Sequence, residues 1–204
     1  MNFIKPNGEL RSGIKNPHFY FLAGISWSDV TSGSISFRFY PEGFISDSTG
    51  PTAYFKDEYD QNKILKYCII LNGNLIKYVS KILNPTLHFT SSDFGNLPIP
   101  KMLDTLFSVA DAEHLLNISV SDWDSYETSW DFTSLPLLSI DYRSGKLESS
   151  YNSLRSHFQE MTDKMLKLEE ENNRIFIDAY GLQNELTPDV PIHEITLTCN
   201  PAYR

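Results

Sequence analysis

The chain has 204 residues, 41% of them hydrophobic and 13% aromatic, enough to bury a core and too apolar for wholesale disorder. No run of 18 apolar residues occurs, and the start, Met1–Gly8, has no apolar stretch of the signal-peptide kind. The net charge of −9 is unevenly spread: residues 1–60 carry −2, residues 61–103 carry +4, and residues 104–204 carry −11. Phosphate contact needs cations, so any nucleic-acid surface is expected in the first half, and the acidic half is expected to pack against protein.

The first sixty residues read as strands and turns. Phe19–Leu22 is a short aromatic run ended by Gly24, and Ile25, Trp27 and Val30 follow it. Ile35–Tyr40 alternates, with Ile35, Phe37 and Phe39 on one face and Ser36, Arg38 and Tyr40 on the other, the pattern of a strand with one buried side. Pro41 and Gly43 stop it, Phe44-Ile45 starts a further extended piece, and the ten residues from Thr52 lead to a helix.

From Gln61 to Asn84 the period changes. Ile64, Cys68, Leu71, Leu75, Val79 and Ile82 recur at three- and four-residue steps, the spacing of one helical face, with Lys63, Lys66, Lys77 and Lys81 off it. Asn72-Gly73 divides the pattern into two helices, with Asn72 read as an N-cap, and Pro85 ends the second. Residues 86–100 read as a loop holding a strand-like Leu87-His88-Phe89.

A helix is expected over Met102–Leu115, followed by an aromatic cluster of Trp123, Tyr126, Trp130 and Phe132. Four acids accompany the cluster, Asp122, Asp124, Glu127 and Asp131, which favours core or protein-interface packing over base stacking. Lys146–Tyr180 is the longest predicted helix, with Leu147, Leu154, Phe158, Met161, Met165, Leu168, Ile175 and Phe176 near a heptad-like seam and Gly181 as its C-cap. Glu194–Thr198 reads as a strand. The expected fold class is α+β: a strand-rich N-terminal part, a helix pair and a long C-terminal helix, divided into parts 1–103 and 104–204.

Catalytic signatures are sparse. Two cysteines 131 positions apart, Cys68 and Cys199, give no disulfide framework and no metal knuckle, and suit a reducing cytoplasm. The five histidines form no i, i+4 pair with Glu or His, so no zinc helix is expected. Glu169-Glu170-Glu171 reads as a solvated helix face. Asn200-Pro201-Ala202-Tyr203 resembles the Asn-Pro-Pro-Tyr loop with which adenine methyltransferases hold a flipped base, but Ala202 replaces the second proline. The Gly-rich turn that would bind a cofactor is absent, because no Gly-x-Gly occurs. No catalysis and no cofactor are therefore expected in this chain.

Binding chemistry concentrates on the alternating strand. Arg38 offers a guanidinium for bidentate base or phosphate contact, with Tyr40 beside it. Trp27, Ser28, Lys56, Lys77 and Lys81 complete the candidate double-stranded DNA contacts. An ordinary exposed strand face fits the same pattern about as well.

Several strings resemble the BREX-system adenine-specific DNA methyltransferases of the PglX family. They include Pro41-Glu42-Gly43-Phe44-Ile45, Ile82-Leu83-Asn84-Pro85-Thr86-Leu87 and Asn96-Leu97-Pro98-Ile99. The most specific is Asp122-Trp123-Asp124-Ser125-Tyr126-Glu127-Thr128-Ser129-Trp130-Asp131-Phe132, and Asn173–Asp178 with Tyr180-Gly181-Leu182 adds to it. The resemblance implies a target-recognition portion following a catalytic domain, in a protein that moves a methyl group from S-adenosylmethionine to adenine N6 in phage defence. It implies double-stranded DNA, the methyltransferase catalytic domain and other BREX proteins as partners, and no membrane. It also implies a truncated gene, a split gene or an excised fragment. The alternative is a protein-interaction or scaffold segment of the same enzyme.

Overall fold

The computed structural model describes residues 4–8, 15–55, 60–99 and 108–197. Three short strands form one antiparallel sheet: β1 (Gly24–Trp27) lies between β2 (Phe37–Tyr40) and β3 (Thr52–Ala53). Among the described residues five α-helices follow: α1 (Gln61–Leu71), α2 (Asn74–Leu83), α3 (Ser91–Gly95), α4 (Val109–Asp124) and α5 (Leu147–Tyr180). The fold is α+β with a long C-terminal helix, as the periodicities predict.

The sheet is set by its side-chain alternation. In the β1–β2 register Trp27 faces Phe37, and both are buried, while Ser26 faces Arg38. β1 is buried along its length, as a central strand under helices should be. Gly24 is required by the close approach of β3: a Cβ there would sit 2.5 Å from the Ala53 carbonyl oxygen.

Two apolar clusters make the core. The first joins the sheet to the helix pair through Ile25, Trp27, Phe37, Ile64, Leu71 and Ile76, and Phe176 of α5 completes it. The second lies among α4, α5 and the C-terminal segment, with Met161, Met165, Leu115, Val190 and Ile195, and includes Leu65 from α1. Each cluster draws on both sides of position 103, so the charge boundary is crossed by packing.

The helix pair forms where expected, but its cap chemistry differs. Asp60 caps α1, accepting from the Lys63 N–H at 3.2 Å. Asn72 is the C-cap of α1, and Gly73 occupies the N-cap position of α2 without a side-chain bond. Asn72 is recruited elsewhere: its Oδ1 accepts from the Phe37 N–H at 2.9 Å, and its Nδ2 donates to the Phe37 carbonyl at 2.8 Å. The side chain thus acts as one residue of a neighbouring strand on the outer edge of β2. The apolar stripe also ends earlier than read, because Ile82 is exposed.

Four further readings are corrected. Residues 86–100 hold a helix, α3, with a capping box between Thr90 and Asp93, and Leu87–Phe89 makes only a bridge from His88 to Val30. Phe44-Ile45 is not a strand, and β3 forms at Thr52-Ala53 instead, inside the stretch read as a connection. The helix expected at Met102–Leu115 begins at Val109, where Ser108 accepts from the Asp111 N–H, and runs on to Asp124; residues 101–107 lie outside the described ones. The strand expected at Glu194–Thr198 is not formed over 194–197, and Thr198 lies outside the described residues. There the chain turns, Glu194 N–H bonding to the Pro191 carbonyl at 2.7 Å, and a side chain rather than a strand answers its backbone: Thr196 N–H donates to Glu169 at 2.8 Å.

α5 packs on α1, α2 and α4. Gly181 ends it in the left-handed conformation, φ 67°, as the sequence predicts. Leu154, Met161, Met165 and Phe176 are buried along it, whereas Leu147 at its start is exposed. Near its C-terminal end Asn173 fastens the α1–α2 junction: its Oδ1 accepts from the Asn74 N–H at 2.9 Å, and its Nδ2 donates to the Pro188 carbonyl at 3.0 Å.

Candidate nucleic-acid interface

The candidate contacts do not form one uniform surface. Arg38 stands exposed in the middle of β2, and its Nη1 donates to Ser28 Oγ at 3.3 Å. That bond uses one of the five guanidinium N–H groups, leaving a fork for a two-pronged acceptor. Backbone on both sides holds it still, since Arg38 is paired with Ser26 of β1 and its neighbour Phe37 is fixed by Asn72. Tyr40 lies two residues on, half-buried against Phe44, with ring centroids 5.8 Å apart. Burial, and then the nearby Tyr54, push its hydroxyl above the ordinary tyrosine value, so it remains a hydrogen-bond donor at neutral pH.

Trp27 does not belong to this surface. It is 2% exposed, stacks on Phe94 at 4.6 Å, and donates its indole N–H to the Phe89 carbonyl at 2.8 Å. A tryptophan with its ring packed and its donor satisfied is a core residue, and it is withdrawn from the candidate contacts.

The lysines separate as well. Lys81 is exposed in the last turn of α2. Lys77 is half-buried, and its charge acts on Glu169 of α5, whose carboxyl is raised above its ordinary value by burial and partly restored by Thr196 and Lys77. A lysine already facing a carboxylate has less to offer a phosphate. Lys56 lies outside the described residues.

Sequence reasoning missed Asn72, whose double bond to Phe37 fixes the strand carrying Arg38. An Asn-Gly pair between two helical patterns signals a junction, and nothing local marks a side chain 35 positions from its partner. Among the described residues, no group of three or more His, Cys, Asp or Glu side chains could hold a metal ion. Burial pushes the Cys68 thiol up to about 12, which leaves it protonated and unreactive at neutral pH.

A small antiparallel sheet packed against helices, with the exposed Arg38 on its edge strand, makes an α+β fold. Most or all of the sequence matches one stretch of two adenine-specific methyltransferases, PglX and BrxX. It is 35% identical over 192 residues, 92% of the chain, to the adenine-specific methyltransferase PglX of Lacticaseibacillus casei (strain Zhang). It is 30% identical over 209 residues, 100% of the chain, to the adenine-specific methyltransferase BrxX of Escherichia coli O9:H4 (strain HS). The chain spans 16% of the length of each. No protein-family model matches it. Among the described residues, no helix is long and apolar enough to cross a membrane.

Proposed function

We propose that the chain is a DNA target-recognition part of an adenine-specific methyltransferase of a BREX phage-defence system, acting on double-stranded DNA in the cytoplasm and carrying no catalysis of its own. The observation that supports this best is Arg38: exposed, tied to Ser28, and carried on a strand whose backbone is fixed from both sides. A rigid guanidinium fork suits the two acceptors on the major-groove edge of guanine, a contact worth about 1–3 kcal/mol of discrimination. Lys81 is a point charge and would grip phosphate without reading sequence. S-adenosylmethionine and the methyl-transfer chemistry belong, in this reading, to the remaining length of the relatives.

The test is a binding titration of labelled duplex DNA across a salt series. Lys81→Ala is expected to weaken binding equally on all sequences and lower the salt slope by roughly one unit. Arg38→Ala is expected to flatten the difference between preferred and scrambled duplexes. If neither variant changes affinity, preference or slope, the β2 face is not the reader.

A further inference from the structure

α5 carries two asparagines inside its apolar seam, Asn172 at 4% exposure and Asn173 at 3%. Asn173 is used on both sides of its amide, by the Asn74 N–H and the Pro188 carbonyl. Asn172 is not. Its Nδ2 donates to the Ile69 carbonyl at 3.4 Å, and its Oδ1 has no hydrogen-bond partner among the described residues. A buried amide oxygen in that state is uncommon in a folded chain and calls for a donor. Asn172 lines a cavity of about 610 Å³. Met165, Glu169 and Asn172, at four- and three-residue steps along one face of α5, form one of its walls. Leu65 and Ile69 of α1, Leu115 of α4 and Phe39 of β2 add apolar surface. Arg38, Trp123 and Asp131 also line it and are exposed, so the cavity opens to solvent there.

Small-molecule sites have volumes of about 300–1,000 Å³ and mostly apolar walls, with a few convergent polar groups that fix orientation. The polar groups select the occupant. Asn172 Oδ1 needs an N–H or O–H. Glu169, one turn before it, already accepts from the Thr196 N–H and feels the charge of Lys77, so it awaits no counter-ion. Asp124 and Asp131 share the lining with Arg38 and Lys77, so neither sign dominates. A charged molecule would lose its hydration there and find no unopposed partner. Lys77 carries three N–H donors, which suit an acceptor placed beside the occupant's own donor. We propose that the cavity binds a neutral, largely apolar heterocycle with an amide-like edge, an N–H for Asn172 beside an acceptor for Lys77. This goes beyond the DNA-reading proposal and stands without it, because Asn172 takes no part in the β2 contacts.

The experiment titrates the 204-residue chain with carbostyril, a bicyclic lactam with adjacent N–H and carbonyl groups, by isothermal calorimetry. Coumarin, which has the same shape with a ring oxygen in place of the N–H, and the anion quinaldate are the comparison probes. The chain is expected to bind carbostyril saturably at one site, coumarin at least tenfold more weakly, and quinaldate more weakly than carbostyril. Asn172→Leu keeps the side-chain volume and removes the acceptor, and is expected to bind carbostyril and coumarin alike. Ser119→Phe places a ring from α4 in the cavity and is expected to abolish binding. Absence of saturable carbostyril binding overturns the proposal. Equal affinity of the wild-type chain for carbostyril and coumarin also overturns it, and that comparison depends on no variant folding. Discrimination that survives in Asn172→Leu would give the N–H another partner, and undiminished binding by Ser119→Phe would put the probe outside the cavity; either result overturns it. Tighter binding of quinaldate than of carbostyril does so too, since the site would then be one for anions.

Discussion

Arg38 and Asn72 divide one task. In the proposed DNA contact Arg38 supplies the donor fork, and Asn72 fixes its strand by bonding both the N–H and the carbonyl of Phe37. Asn72→Ala leaves two strand groups without those partners, and the loss is expected to be about 1–3 kcal/mol for a buried group so exposed. Denaturant unfolding measures it, and a change under half a kcal/mol on the scale of surface substitutions would show that water replaces the amide fully. Arg38→Ala, by contrast, is expected to leave the denaturation midpoint unchanged, since the guanidinium is exposed. Cys68 gives a pH signature. Its thiol is held at about 12 when folded and ionises near 9 when unfolded, so the unfolded state loses its proton first as pH rises. This group's contribution to stability is therefore complete below pH 9 and declines between pH 9 and 12. Iodoacetamide at pH 8 is expected to label Cys68 only after denaturation, as peptide mapping would report; rapid labelling of the native chain would contradict the burial.

Among the elements, α5 carries the clearest energetic expectation. Leu154 is buried in its seam and Leu147 is not. Leu154→Ala is expected to cost about 2–5 kcal/mol, and Leu147→Ala close to nothing, in paired chemical denaturation. Equal effects would mean that the helix packs through another face. α5 was legible because 34 residues of period-3.6 pattern end in a glycine suited to the left-handed cap. The α1–α2 pair was legible for the same reason, and β2 from its alternation of Phe37 and Phe39 with Arg38 and Tyr40. The misreadings share a physical cause. Ile195 and Leu197 alternate and are buried, as strand residues would be, but they pack into the α4–α5 cluster and their backbone has a carboxylate rather than a strand beside it. A strand is a pairing, and the pattern of one segment does not report its partner. α3 was missed because five residues are too short for a period, although the Thr90–Asp93 capping box does mark its start.

At the scale of the whole molecule, both halves of the chain meet around one cavity, where Arg38 and Lys77 lie with Trp123, Asp124, Asp131 and Glu169. Arg38 and Lys81 come from the half that is nearly neutral or basic, and Trp123 from the half that carries −11. The charge counts mark a boundary near residue 103 that the packing crosses, since Phe176 joins the first cluster and Leu65 the second. The candidate site was legible only in part: alternation placed Arg38 outward, but it could not show that Trp27, adjacent in sequence to Ser28, is sealed under Phe94. The lack of a Gly-x-Gly turn leads to a further expectation, that calorimetric titration with S-adenosylmethionine gives no saturable heat. Micromolar binding, about −8 kcal/mol, would move the chain from reader to catalytic part.

The outer face of β2 is the proposed DNA-reading surface. Photocrosslinking of the chain to bromouracil-substituted duplex, followed by mass spectrometry of the crosslinked peptides, addresses it most directly. Crosslinks are expected on peptides covering residues 24–40 and 74–83, and are expected to be lost when Arg38→Ala and Lys81→Ala are combined. Crosslinks confined to residues 120–151, or a pattern indifferent to that double substitution, would contradict it.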